Sequence, residues 1–166
     1  MLLKPDIKLE KITDITPAFL KSREITDLIL DVDNTLSVHH GQIPTEGLNA
    51  WLDIMRNAGI GLIILSNSKE ERVKPFAEGL ELEFVSLGLK PLPFKFKTAL
   101  EKLNSDKART AIVGDQIFTD VLGGSLYGVK TVLLDPIEPE KALRFRIKRR
   151  AERLVFKIYG IKNTEV

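Results

Sequence analysis

The chain has 166 residues, 43% of them hydrophobic and 29% charged, the ordinary proportions of one soluble domain large enough to bury a core. It has no cysteine, which excludes disulfides and thiolate metal sites, and no apolar run near the roughly 20 residues of a membrane span; Met1-Leu2-Leu3 gives way to Lys4-Pro5-Asp6 too soon for a signal-peptide core. The net charge of +2 hides an asymmetry, because residues 141–157 hold eight Lys/Arg against one Glu, a sum of +7 that leaves −5 for the rest.

Residues 4–16 read as an irregular or short-strand lead-in. Thr16 before Pro17 predicts an N-cap with proline at the first helical position, and a short helix to Lys21 or Ser22. Residues 26–31 form the first strand. Its apolar run, Leu28-Ile29-Leu30, fits a strand buried on both faces and stops at Asp31-Val32-Asp33-Asn34-Thr35. Carboxylates are almost never buried unless paired or metal-bound, so the strand should end there and present Asp31 and Asp33 at its carboxyl end. In parallel α/β sheets that edge is where ligands sit. An Asx-rich turn is the plainer explanation of the same residues. Loop 37–44 contains His39 and His40; neighbours on a loop point apart, which favours solvated side chains over metal ligands.

Thr45 is expected to cap a helix over 46–57, with Leu48, Leu52 and Met55 at helical spacing, Trp51 beside them, and Gly59 closing it. Residues 61–65 form a second buried strand ending at Ser66-Asn67-Ser68. Ser68 and Glu71 have the spacing of a capping box for a helix over 69–79; Ser66 has no such local role. A third short strand spans 83–87. Pro91 then forces Lys90 into an extended conformation and fixes where it points, although a surface lysine is the plainer alternative. A helix over 95–104 turns Phe96, Ala99, Leu100 and Leu103 inward. The fourth strand, 110–113, runs into Gly114-Asp115-Gln116-Ile117-Phe118-Thr119-Asp120. A helix carrying Gly123-Gly124 follows, and the fifth strand, 131–134, closes on Asp135-Pro136.

Strand and helix alternate five times, which predicts an α/β fold: a Rossmann-like three-layer α/β/α sandwich on a five-stranded parallel sheet with right-handed crossovers, in one domain over 1–166. Neither a dinucleotide-binding glycine pattern nor a P-loop nor a nucleophile elbow occurs.

Asp31-Val32-Asp33-Asn34-Thr35 resembles the D-x-D-x-T nucleophile motif of the haloacid dehalogenase (HAD) superfamily of phosphatases. Ser66 resembles its second motif, Lys90 its third, and Asp115 with Asp120 its fourth, G-D-x-x-x-T-D. Four motifs in order, each at a predicted strand end, cover about residues 25–136. The finer pattern, from Asp-Asn-Thr-Leu through Lys-Pro to Gly-Asp-Gln-x-x-Thr-Asp-Val-x-Gly-Gly, is similar to the YqeG branch, itself similar to phosphatidylglycerophosphate phosphatases.

The resemblance implies a phosphomonoester hydrolase of the HAD-like fold. Asp31 would attack phosphorus to give an aspartyl-phosphate and Asp33 would act as general acid, then base. Lys90 would neutralise the nucleophile and hold the phosphoryl group, and Ser66 would donate to a phosphoryl oxygen, with Thr35 and Asn67 as further substrate contacts. A Mg²⁺ ion would sit on Asp31, the main-chain carbonyl of Asp33, and Asp115; oxygen ligands suit a hard cation, and Mn²⁺ is chemically open as well. Asp120 would either orient Lys90 or support the metal shell. The intervals Asp33–Ser66 and Ser66–Lys90 leave no room for the cap domain usual in family members that act on small metabolites, so the site should be open.

An open site turns attention to residues 139–159, a basic amphipathic helix with Leu143, Ile147, Ala151, Leu154 and Ile158 at helical spacing. Three readings compete: the apolar stripe packs on the domain; the helix lies on an anionic membrane through Arg146, Arg149, Arg150 and Arg153; or it binds nucleic acid. The favoured function is Mg²⁺-dependent hydrolysis of phosphatidylglycerophosphate or a similar large or surface-bound ester, by a cytoplasmic protein peripheral to the membrane. The alternatives are a phosphatase for a nucleic-acid end, phosphoprotein or other ester, and a non-catalytic nucleic-acid-binding protein on the same fold. Asp33 argues against the last, since binding alone needs no second acid there.

Overall fold

The structure, a computed structural model, describes residues 1–38, 41–139 and 143–165, with backbone only for 143–146. His39, His40 and the side chains of Leu143 and Arg146 therefore lie outside the described residues.

The strands are β1 (Ile7–Lys8), β2 (Asp27–Leu30), β3 (Gly61–Leu65), β4 (Glu83–Val85), β5 (Thr110–Gly114) and β6 (Lys130–Leu133); the helices are α1 (Pro17–Ser22), α2 (Leu48–Asn57), α3 (Glu70–Gly79), α4 (Phe94–Leu103), α5 (Leu122–Tyr127) and α6 (Leu143–Tyr159). They form one parallel sheet in the order β1-β6-β5-β2-β3-β4. The sheet thus has six strands, where the sequence predicts five. The extra strand comes from the lead-in, and two residues are too short to show a periodic pattern; β1 is fixed by pairing with β6, Ile7 opposite Val132.

Alternation along β2 places Leu28 and Leu30 on one face and Ile29 on the other. The first face packs on α1, α2 and α3 through Leu20, Trp51, Met55 and Phe76; the second packs on α4 through Phe96, Ala99 and Leu100. Both faces are covered, which is why the strands read as continuous apolar runs. Trp51 is buried core, its indole N–H donating to the Ile15 carbonyl at 2.8 Å.

Three boundaries differ from expectation for local reasons. Helix α2 starts at Leu48 behind Gly47, not behind Thr45, whose N–H is taken by the Leu36 carbonyl. Ser68 forms no capping box; α3 is preceded by Lys69, and the Ser68 hydroxyl is drawn instead to Asp33 and Arg72. The third predicted strand stops at Val85, because Leu87 and Leu89 both take positive φ around Gly88 and turn the chain toward Lys90.

Helix α6 presents an unexpected face. Ile147, Leu154 and Ile158 are 59%, 59% and 65% exposed, so the apolar stripe faces solvent. The domain is met by Glu152 and Val155, with Phe156 and Tyr159 half-buried against Ile117, Val121 and Leu133. Packing of the stripe on the domain is thereby excluded for these three residues.

Candidate active site

Sheet order assembles the site. Leu30 lies opposite Val113 on β5 and opposite Ile64 on β3, so the residues just beyond these strands converge: Asp31, Asp115 and Ser66. The Asp31 N–H donates to the Val113 carbonyl at 2.9 Å and fixes the first of them. Beyond Asp115 the chain makes a π turn, Ile117–Val121, which returns Asp120 toward the strand end. Gly114 permits this, because a Cβ there would stand 2.3 Å from the Asp120 carboxyl carbon.

Asp31, Asp115 and Asp120, all buried, bring one carboxylate oxygen each within 4.8 Å of one another. Lys90 enters from the loop after β4. Its Nζ donates to Asp31 Oδ1 at 2.6 Å and to Asp120 Oδ1 at 2.7 Å. The lysine is itself buried, so the surface alternative does not hold. Asp120 also accepts from the Gln116 N–H at 3.2 Å. It therefore orients Lys90 and belongs to the carboxylate triad, both roles left open by the sequence.

Asn67, expected at the substrate, is spent on Lys90. Its Oδ1 accepts from the Lys90 N–H at 2.7 Å and its Nδ2 donates to the Lys90 carbonyl at 3.0 Å. This two-point clasp fixes the backbone that carries the lysine. The buried Ser66 has a local role after all, since its hydroxyl accepts from the Ser68 N–H at 3.2 Å. Thr35 is buried, with Oγ1 unpartnered, and lines a separate cavity of about 210 Å³ with Thr13, Thr45 and Ile137.

Two arginines that sequence reasoning did not place at the site complete it. Arg72 of α3 forms a two-pronged ion pair with Asp33, Nη1 to Oδ2 at 2.9 Å and Nη2 to Oδ1. Arg149 of α6 donates through Nη1 to the Asp115 carbonyl at 2.7 Å and through Nη2 to Asp115 Oδ2, and it pairs with Glu152 at 2.8 Å. Glu152 in turn accepts from the Ile117 N–H at 2.9 Å. Arg149 is therefore committed to the strand end; placing it on a membrane-facing surface is corrected. The sequence shows α6 as a basic helix but not which cation turns inward. The signal was Glu152, the lone acid in a basic run, which buried structure needs paired.

Burial pushes the Asp31 carboxyl up to about 7; Lys90 opposes this, while Asp120 and Asp33 add to it. Burial likewise holds Asp115 well above the usual carboxylate range, against the pull of Arg149. For Lys90, burial acts to lower the value, but Asp120 and Asp31 outweigh it and keep the ammonium charged. Among the described residues three carboxylates face two cations, Lys90 and Arg149. Asp115 Oδ1 is buried without a hydrogen-bond partner among the described residues. An unpaired carboxylate oxygen beside two other carboxylates fits a hard divalent cation.

The comparisons agree with this chemistry. The HAD-hydrolase-like family model matches residues 89–136, the stretch holding Lys90, Asp115 and Asp120. Probable phosphatase YqeG of Bacillus subtilis (strain 168) is 36% identical over 151 residues, 91% of this chain and 88% of that protein. Two solved structures share the fold at low identity. The cobalt-bound deoxy-D-mannose-octulosonate 8-phosphate phosphatase YrbI of Haemophilus influenzae has a TM-score of 0.54 at 14% identity, over 84% of this chain and 92% of that one. NagD of E. coli K-12 has 0.56 at 15%, over 73% and 91%. Neither interval between Asp33, Ser66 and Lys90 holds more than a loop, a helix and a strand, so the fold is small and capless. By the buried triad, its lysine and a relative matched over nearly its whole length, the chain belongs to the HAD family of phosphatases, close to YqeG.

Proposed function

We propose that the protein is a Mg²⁺-dependent phosphomonoesterase that forms an aspartyl-phosphate on Asp31 and acts on phosphatidylglycerophosphate or a similar lipid-borne ester. The observation that carries the chemistry is Lys90 Nζ held between Asp31 and Asp120, with Asp115 completing the triad. Asp31 is the triad member at the end of the central strand, at the open edge of the sheet. A carboxylate oxygen of Asp31 forms a bond to phosphorus as the ester P–O bond breaks, and the leaving oxygen takes a proton from Asp33. A water then gives its proton to Asp33 and attacks phosphorus, which releases phosphate and restores Asp31.

Lys90 neutralises the nucleophile and, with Ser66, binds the phosphoryl oxygens. Asp33 must be protonated for the first step, so its Arg72 contact loosens as the incoming phosphoryl charge competes for the guanidinium. Asp31, Asp115 and the Asp33 carbonyl would hold the divalent cation, which would neutralise phosphoryl and carboxylate charge when bound.

The lipid substrate is supported by the capless site and by α6, whose exposed Ile147, Leu154 and Ile158 lie beside exposed Arg150, Arg153 and Lys157. No helix among the described residues is long and apolar enough to cross a membrane, so contact with a bilayer would be peripheral. The test is a hydrolysis screen with Mg²⁺ of lipid, nucleotide, sugar and protein phosphates. Phosphatidylglycerophosphate should be turned over with the highest kcat/KM. Preference for a nucleic-acid end or a phosphoprotein would replace the lipid with that substrate.

A further inference from the structure

Arg72, in the first turn of α3, grips Asp33 with the end of its guanidinium: Nη1 donates to Oδ2 at 2.9 Å and Nη2 to Oδ1. Nη1 also donates to the Ser68 hydroxyl, which lies 3.5 Å from Asp33 Oδ2. The Ser68 N–H in turn reaches the Ser66 hydroxyl at 3.2 Å, so Arg72, Asp33 and Ser66 form one connected group at the carboxyl edge of the sheet. The Arg72 Nε–H is buried without a hydrogen-bond partner among the described residues. The Arg72 and Asp33 side chains are 22% and 15% exposed, so the pair keeps partial contact with solvent. Gln42 Nε2 donates to the Arg72 carbonyl at 3.1 Å, which ties the backbone of this residue to loop 37–44 and leaves any exchange of partners to the side chain.

We propose that Arg72 is a phosphoryl-binding residue that changes partner: it holds Asp33 in the free protein and passes to the phosphoryl oxygens when a phosphate monoester enters, which releases Asp33 to act at the leaving oxygen. The proposal rests on the reading of Asp31 as phosphoryl acceptor. A guanidinium fork fits a carboxylate and a phosphoryl group alike, so the two compete for the same donors. A phosphoryl dianion brings twice the charge of Asp33 and three acceptor oxygens. It can take the two donors now on Asp33 and also satisfy the orphaned Nε–H, whose burial costs the free protein stability. Lys90 and Arg72 would then hold the phosphoryl group from the β4 and α3 sides, and Asp33 would be freed only where a substrate is present.

Inorganic phosphate is the probe, since it binds without turnover. In a calorimetric titration with Mg²⁺ present, the wild type should bind phosphate and Arg72→Met should bind it about tenfold more weakly. Asp33→Asn frees the guanidinium and should tighten binding about tenfold. The double variant Asp33→Asn/Arg72→Met should lose that gain. Because it removes both members of the ion pair, it leaves no charge stranded and tests Arg72 even where the single arginine variant unfolds. Absence of phosphate binding by the wild type, equal affinity of Arg72→Met and wild type, or a gain from Asp33→Asn that persists without Arg72 would each overturn the exchange. Phosphate binding that needs Arg72, in a protein that hydrolyses no phosphate monoester, would support the exchange while removing the proposed reaction. Hydrolysis together with phosphate binding indifferent to Arg72 would do the reverse.

Discussion

Arg149 closes on Asp115 from the far end of the sequence, joining α6 to the strand end through a buried ion pair and a 2.7 Å bond to the Asp115 carbonyl. The guanidinium occupies one carboxylate oxygen and leaves the other without a partner. It therefore stabilises the metal-free site and competes for a metal ligand. Replacing it with methionine should lower the stability of the metal-free protein by about 3 kcal/mol, since one buried charge loses its partner. The Mg²⁺ concentration that half-saturates the thermal shift should fall about tenfold, because Asp115 is freed. A midpoint that stays put or rises would show that Arg149 and the ion do not compete.

Asp31→Asn should abolish turnover, by at least about four orders of magnitude, with little loss of stability, since the side chain lies at a strand end and keeps its shape. Beryllium fluoride should give a phosphoryl-like adduct on Asp31 in the wild type and none in the variant. Residual turnover near the wild-type rate would move the nucleophile elsewhere.

The fold was legible because both faces of the sheet are covered: strands such as Leu28–Leu30 and Ile63–Leu65 appear as unbroken apolar runs ending in polar residues. Strand β1 was read only as one alternative for the lead-in and was not counted in the sheet, because two residues carry no period and owe their conformation to a partner 125 positions away. In the site, Asp31, Lys90, Asp115 and Asp120 stand together as their positions at strand ends suggested. Asn67, expected at the substrate, has its amide on the Lys90 backbone; a side-chain amide can serve a backbone as well as a ligand, and the sequence does not tell them apart. Arg72 was missed because it stands in the first turn of α3 beside Glu70 and Glu71, where a cation is ordinary, and Arg149 because α6 is basic along its length and only Glu152 marks the side that turns inward.

The raised Asp31 pKa fixes the sign of a pH effect. Burial lifts its carboxyl from 3.8 to about 7, so between those values the folded metal-free protein holds a proton that the unfolded chain has released. That contribution to stability is complete below about pH 4, declines as pH rises, and is gone above pH 7. The metal-free protein should thus melt several degrees lower at pH 7.5 than at pH 5.5, and Asp31→Asn should flatten the difference. Mg²⁺ at about 100 times its Kd should restore roughly 2.7 kcal/mol at pH 7.5. Melting that is metal-insensitive there would argue against the site.

Gly114→Ala places a methyl group 2.3 Å from the Asp120 carboxyl carbon. Asp120 must move, and Lys90 loses one of its two anchors. A stability loss of about 1–3 kcal/mol is expected from overpacking. A fall in kcat of about tenfold or more should accompany it with KM less affected, measured by steady-state kinetics. An unchanged kcat would show that Asp120 does not position the lysine.

The exposed face of α6 gives a binding prediction distinct from catalysis. Vesicles rich in anionic lipid should sediment the wild-type protein at low salt and release it as salt rises. Ile147→Glu with Leu154→Glu should weaken sedimentation about tenfold, because these side chains are already solvent-facing and only the docked state loses them. If the wild type ignores such vesicles, the face is not a membrane dock.

The pairing of β1 with β6 bears on how the chain is made. Ile7 faces Val132, the Leu9 N–H donates to the Leu133 carbonyl, and the Thr164 N–H closes on the Lys8 carbonyl at 2.7 Å. During synthesis β2 and β3 meet early, whereas Ile7 and Leu9 emerge before them and lack their own sheet partner until β6 appears. At about 5–20 residues per second, that interval is on the order of ten seconds. For that time the nascent polypeptide trails an unpartnered apolar segment, within reach of chaperones and of other chains on the same message.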